Sequence, residues 1–127
     1  IRRREAVTFH PLDDILNSLR EVFNECSQPN WDGYGAIALT EDAYEEAKRF
    51  IKLLPSPIQM PEIVAEPTGD IGFEWRRGKG QVFVLSISGK HRINYAGIFG
   101  GNKIHATEYF EETLPLAVIQ LLRRLYS

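Results

Sequence analysis

From Glu62 to Tyr109 the chain reads EIVAEPTGDIGFEWRRGKGQVFVLSISGKHRINYAGIFGGNKIHATEY, with apolar residues at alternate positions along much of its length. A period of two belongs to extended strands, whose successive side chains point to opposite faces. Glycine-bearing turns at residues 68–70, 77–80, 89–90 and 97–102 cut the stretch into five strands, Glu62 to Glu66, Asp70 to Trp75, Gln81 to Ser88, His91 to Ala96 and Lys103 to Tyr109. Links this short join antiparallel neighbours, so a five-stranded meander is expected.

Folding each hairpin about the midpoint of its turn sets Trp75 against Val82, Phe73 against Val84, Ile93 against Ser86, and Tyr95 against Val84 and Ile104. One face then carries Ile71, Phe73, Trp75, Val82, Val84, Ile93, Tyr95, Ile104 and Ala106, a core layer for the last helix to cover. The other carries Gly72, Glu74, Phe83, Leu85, Ile87, Arg92, Asn94, Lys103, His105 and Thr107. Phe83, Leu85 and Ile87 do not suit a fully solvated face. That side is therefore expected to lie partly under the N-terminal helices, the alternative being an apolar stripe open for binding. A slip of one residue would exchange the two lists. Gly72 inside a strand allows a bulge or a close approach there.

Outside the sheet the period changes. Leu12, Ile15, Leu16, Leu19, Val22, Phe23 and Cys26 draw one stripe on a helix of about fifteen residues that Pro11 can open. Thr40 is a good N-cap for a second helix, with Glu41 and Asp42 at its positive end and Lys48, Arg49 and Lys52 toward its negative end. Pro55, Pro57 and Pro61 stop that helix and stiffen the link to the sheet. A third helix is expected over about Leu114 to Tyr126, with Pro115 in its first turn. The fold class is thus α+β, in the order α-α-β-β-β-β-β-α, as a single domain over 1–127 with residues 1–10 as a flexible tail.

The chain has 127 residues, 43% hydrophobic and 25% charged, enough to bury a core without disulfides. Its single cysteine, Cys26, fits a reducing, cytoplasmic setting and reads as a small buried hydrophobe. No apolar run is long enough to span a bilayer, which argues for no membrane association. No signal-peptide pattern is present, and the start at Ile1 allows for native residues ahead of it. Residues 1–70 hold 13 acids and 7 bases, whereas residues 71–127 hold 4 acids and 8 bases. This asymmetry fits acidic helices beside basic hairpin tips, and it also fits a dipolar surface with a charged partner. Arg2, Arg3 and Arg4 read as a solvated tail.

Between the first two helices lies Asn30-Trp31-Asp32-Gly33-Tyr34-Gly35-Ala36. It reads as a tight turn pinned by Trp31, or as a partner loop with Trp31 and Tyr34 as anchors and Asp32 as a polar contact. It lacks the ending of a phosphate-binding loop. His10, His91 and His105 have no metal-ligand spacing, so neither metal nor cofactor is expected. Glu74, Arg92, Asn94 and His105 could build acid/base chemistry if they converge on one sheet face. Arg76, Arg77, Lys79, Lys90 and Lys103 could meet phosphates at hairpin tips, although overall acidity speaks against nucleic acid.

The loop Asn30 to Ala36, the Leu54-Pro55 helix end, the Pro-rich link to Pro61 and the strand end Glu74-Trp75 together resemble a small family of uncharacterised bacterial proteins, over roughly residues 28 to 125. The resemblance implies no known activity; similar small bacterial proteins are often accessory, immunity-like or antitoxin-like components. The sequence thus points to a non-enzymatic module that binds a protein partner through Trp31, Asp32, Tyr34, Glu74, Phe83, Leu85, Arg92, Asn94 and His105. A small enzyme built on Glu74, Arg92 and His105, or a nucleic-acid-binding domain, is the alternative. A homodimer through an edge strand stays open.

Overall fold

The computed structural model describes residues 11–56 and 58–127. The tail expected over residues 1–10, with Arg2, Arg3, Arg4 and His10, and Pro57 of the link lie outside the described residues. Three helices and five strands follow in the expected order: α1 (Pro11–Glu25), α2 (Glu41–Leu53), β1 (Glu62–Ala65), β2 (Ile71–Gly78), β3 (Gln81–Ile87), β4 (Arg92–Phe99), β5 (Asn102–Tyr109) and α3 (Leu116–Leu125). The sheet order is β1-β2-β3-β4-β5, every neighbouring pair antiparallel.

Local chemistry sets the helix ends. Thr40 accepts a hydrogen bond from the Ala43 amide through its hydroxyl at 3.1 Å, satisfying a donor that the first turn of α2 leaves free. In α3, Pro115 sits just outside the helix, and its carbonyl takes the Val118 amide at 3.1 Å.

The register of β3 differs from the midpoint expectation by one residue. Trp75 pairs with Phe83, Phe73 with Leu85 and Ile71 with Ile87, because the β2–β3 ladder shifts between Arg76 and Gly78. The extra residue is Arg77, whose guanidinium donates to the carbonyls of Leu125 at 3.1 Å and Ser127 at 2.6 Å, at the C-terminal end of α3. A cation there meets the negative end of the helix dipole and the carbonyls that its last turn cannot pair. The bulge thus turns a basic residue of the hairpin toward the helix side.

As a consequence Phe83, Leu85 and Ile87 join Ile71, Phe73, Trp75, Ile93 and Tyr95 in the buried core. Val82 and Val84, expected in that layer, lie on the opposite face, half-buried. The helices belong to the inner face. Phe50 of α2 lies against Phe73, Trp75 and Phe110, with ring centroids 4.9, 6.3 and 6.1 Å away. Val118, Leu122 and Leu125 of α3 complete the same core, which Ile15 and Leu19 of α1 enter beside α2. The expected partial cover of the other face by the N-terminal helices is therefore a correction. Once Phe83, Leu85 and Ile87 are turned inward, the outer face no longer needs it.

Candidate functional site

Two regions carry the residues singled out above. The first is the loop between α1 and α2. Asn30 (φ 64°), Gly33 (φ 79°) and Gly35 (φ 85°) take left-handed backbone that ordinary side chains avoid. The carboxylate of Asp32 accepts from the amides of Tyr34 at 2.8 Å and Ala36 at 3.0 Å, and the Asn30 side chain accepts from the Gly35 amide at 2.6 Å. Half-buried Trp31 donates its indole N–H to the Ile37 carbonyl at 2.9 Å. Asp32 and Trp31 are therefore committed to the loop itself. Tyr34, 92% exposed, projects from it.

This loop is fastened to the sheet. The Ile37 amide donates to the Pro67 carbonyl at 2.8 Å, in the β1–β2 turn, and Gly69 leaves so little room that a Cβ there would meet the Ile37 side chain at 3.0 Å.

The second region is the outer sheet face, whose rows follow from the strand register. One row runs Glu62, Glu74, Val84, Ala96, His105, and the next runs Val64, Gly72, Ser86, Asn94, Thr107. Arg76, Val82, Ile98 and Lys103 form a third. Arg92 faces Tyr109 on the last two strands. Glu74 and His105 share a row but stand three strand spacings apart, roughly 14 Å. Arg92 lies beyond the neighbouring row. This arrangement does not gather the three groups around one small ligand. The hydroxyl of Thr107 donates to the Asn94 side chain at 2.5 Å, a cross-strand pair on an exposed surface. Phe83 and Leu85, expected as partner contacts, are 0% and 1% exposed and belong to the core, a correction that follows from the bulge.

Charge divides this face. Glu62, Glu66, Asp70 and Glu74 cluster on and around β1 and β2, with Arg76 3.9 Å from Glu74. Arg92, Lys103 and His105 occupy β4 and β5. The Glu66 side chain lies over Gly72, where a Cβ would stand 2.5 Å from its Oε2, and accepts from the Ser86 hydroxyl at 2.7 Å. Gly72 thus marks a close approach. Burial raises the Glu66 carboxyl above the ordinary carboxylate range, nearby Asp70 and Glu74 add to the rise, and the Ser86 bond opposes it. Burial likewise raises Asp70.

Sequence reasoning missed two features. Glu46, 2% exposed, accepts from the Gly89 amide at 3.2 Å and the His91 amide at 2.9 Å, with His91 Nδ1 at 3.6 Å. It clamps the β3–β4 turn onto α2. Its spacing could have shown this, since Glu46 falls three residues after Ala43 and four before Phe50, on the apolar stripe. An apolar groove of about 500 Å³, lined by Leu12, Ile51, Leu54, Pro55, Ile58 and Met60 among others, opens beside the α2 end and the Pro-rich link.

Of the remaining candidates, Arg77 of the basic hairpin tip is held by α3. Burial, followed by the nearby Glu25, raises the Cys26 thiol, which leaves it a poorer nucleophile. Among the described residues no cluster of three or more His, Cys, Asp or Glu could hold a metal ion, and no helix is long and apolar enough to cross a membrane. No family model, no curated protein and no solved structure matched the chain.

Proposed function

We propose that the chain is a non-enzymatic protein-binding module that meets its partner through the outer sheet face and the tip of the Trp31 to Tyr34 loop. The observation that carries this reading is the contrast in cover. The three helices bury one face, while the other leaves half-buried Val64, Val82, Val84 and Ala96 among exposed charges. An apolar strip with a polar rim is the usual make-up of an interaction surface. Tyr34 adds a large side chain with a polar tip, held out by a loop already bonded into shape, so ordering it on binding costs little.

Within the site as revised, Tyr34, Glu74, Arg92, Asn94 and His105 remain partner contacts, and Val84 replaces Phe83 and Leu85. The resemblance to small bacterial proteins supports an accessory, immunity-like or antitoxin-like role. The test compares affinity capture from a bacterial lysate by the wild type, Tyr34→Ala and Val84→Lys, each shown to be folded by circular dichroism. Loss of one stoichiometric, nuclease-resistant protein with either variant supports the reading. Equal capture by all three overturns it.

A further inference from the structure

The outer face has a symmetry of charge that selects one kind of partner. β3, its middle strand, offers only Val82, Val84 and Ser86 there, all without charge. On one side lie the acids Glu62, Glu66, Asp70 and Glu74, offset by Arg76 beside Glu74 and by Lys90 near Asp70. On the other lie Arg92, Lys103 and His105, with Glu111 held at the far end of β5 by the Tyr109 hydroxyl, while Glu108 shares the inner face with Tyr95 and accepts the hydrogen bond of its hydroxyl. Such a face is complementary to its own copy turned about an axis parallel to β3. We infer that the partner seated on it is a second copy of this chain, packed face to face with β3 on β3. The inference rests on the protein-binding reading above and names its partner.

The geometry follows from the rows. A two-fold axis parallel to the strands keeps each row at its own height and exchanges left for right, so β1 of one copy lies over β5 of the other. Glu62 then meets His105 of the second copy, Asp70 meets the Arg92 end, and the β3 valines meet each other. An axis across the strands would instead lay acids on acids. Charge therefore chooses the symmetry operator as well as the partner. Two stacked sheets stand about 10 Å apart, which leaves room for interdigitated valine and alanine side chains.

The area is adequate for a reversible dimer. Five strands at about 4.8 Å and four rows at about 7 Å make a face of roughly 24 by 28 Å. Two copies would bury on the order of 1,300 Å², the lower end for specific association. Dissociation on dilution is therefore expected, as is weakening with salt, since much of the complementarity is exposed charge.

Sedimentation equilibrium of the full chain across concentration and salt tests the inference. The expected result is a mass rising from one chain to two, with association weaker at high salt. Val84→Lys, which sets two lysines face to face at the axis, should stay monomeric at every concentration while retaining the wild-type circular dichroism spectrum. Glu62→Lys and His105→Glu should each weaken association about tenfold, since the two-fold axis makes either substitution remove both symmetry-related Glu62–His105 contacts. The double variant should recover most of that loss. A wild type that is monomeric throughout, a dimer that Val84→Lys leaves intact, or a double variant no better than the singles would overturn the face-to-face dimer. If the wild type is monomeric but captures a different protein that Val84→Lys does not, the second copy is the wrong partner and the binding surface stands. If capture is also unchanged, both fall.

Discussion

On β3, Phe83, Leu85 and Ile87 turn toward the helices and are covered, whereas Val82, Val84 and Ser86, one step along the same strand, remain partly open to solvent. All but one of these six residues are apolar, so apolarity alone does not sort them. Size does: the side chains with most area to hide occupy the covered face, where burial returns about 25 cal/mol for each Å² removed from water. A sheet layered on one side only can keep smaller β-branched residues on the other, since these suit strand backbone whichever way they point.

The most direct way to break this comparison is to shorten one residue on each face. Trp75→Ala should cost about 3–5 kcal/mol in urea unfolding, from lost transfer energy and a cavity beside Phe50, Phe73 and Phe83. Val84→Ala should cost no more than about 1 kcal/mol. Similar losses would show that the outer face is covered after all.

Glycines sharpen the same contrast. At Gly89 (φ 83°) a Cβ would stand 2.5 Å from the Ala43 amide nitrogen, whereas at Gly33 (φ 79°) it would meet nothing within 4 Å. Both alanine variants carry the strain of left-handed backbone, about 1 kcal/mol. Gly89→Ala must also push the turn away from α2, so its loss should reach roughly 3 kcal/mol. Comparison of the two unfolding midpoints checks this.

A third contrast sets a carboxylate on the inner side against one on the outer. Glu46→Ala leaves the Gly89 and His91 amides without their acceptor in a place with little water, a cost of about 2 kcal/mol. Glu74→Ala should fall within about 0.5 kcal/mol, since its side chain is 36% exposed and its partner Arg76 more so. A Glu74 variant as damaged as the Glu46 variant would mean that the outer face holds a structural ion pair.

The smallest effect concerns Glu66. Because burial holds its carboxyl above the ordinary range, the folded protein keeps a proton there at pH values where the unfolded chain has already lost it. The Glu66 contribution to stability therefore falls as pH rises through that interval. Glu66→Gln retains an acceptor for Ser86 without the charge, so it should raise the melting temperature slightly at neutral pH, with the gain fading in acid. A gain that persists in acid would assign the effect to something other than ionisation.

The two periodicities made most of the fold legible: α1, α2 and α3 each follow a stripe at helical spacing, and the meander follows from alternation and short turns. The register of β3 was not legible from turn length, because a one-residue bulge turns on an interaction with distant α3 through Arg77. The larger side chains at positions 83, 85 and 87 did carry the correct parity. Of the candidate site, Tyr34, Arg92, Asn94 and His105 were legible as exposed polar or aromatic residues in strands and loops. What alternation could not supply was distance, so the separation of Glu74 from His105 emerged only with the strand order.

The order of elements also shapes how the chain is assembled during synthesis. Each strand pairs with a neighbour in sequence, so hairpins close with small loop entropy and the sheet needs no distant segment to begin. The helices are placed otherwise. α1 and α2 leave the ribosome before the sheet does, and the stripe bearing Ala43, Ala47, Phe50 and Ile51 has no strand to lie against until the β2–β3 hairpin, Ile71 to Ile87, follows about 18 to 34 residues after Leu53. At synthesis rates of about 5–20 residues per second, that exposed stripe persists for a second or more, long enough to be the interval in which a chaperone would act.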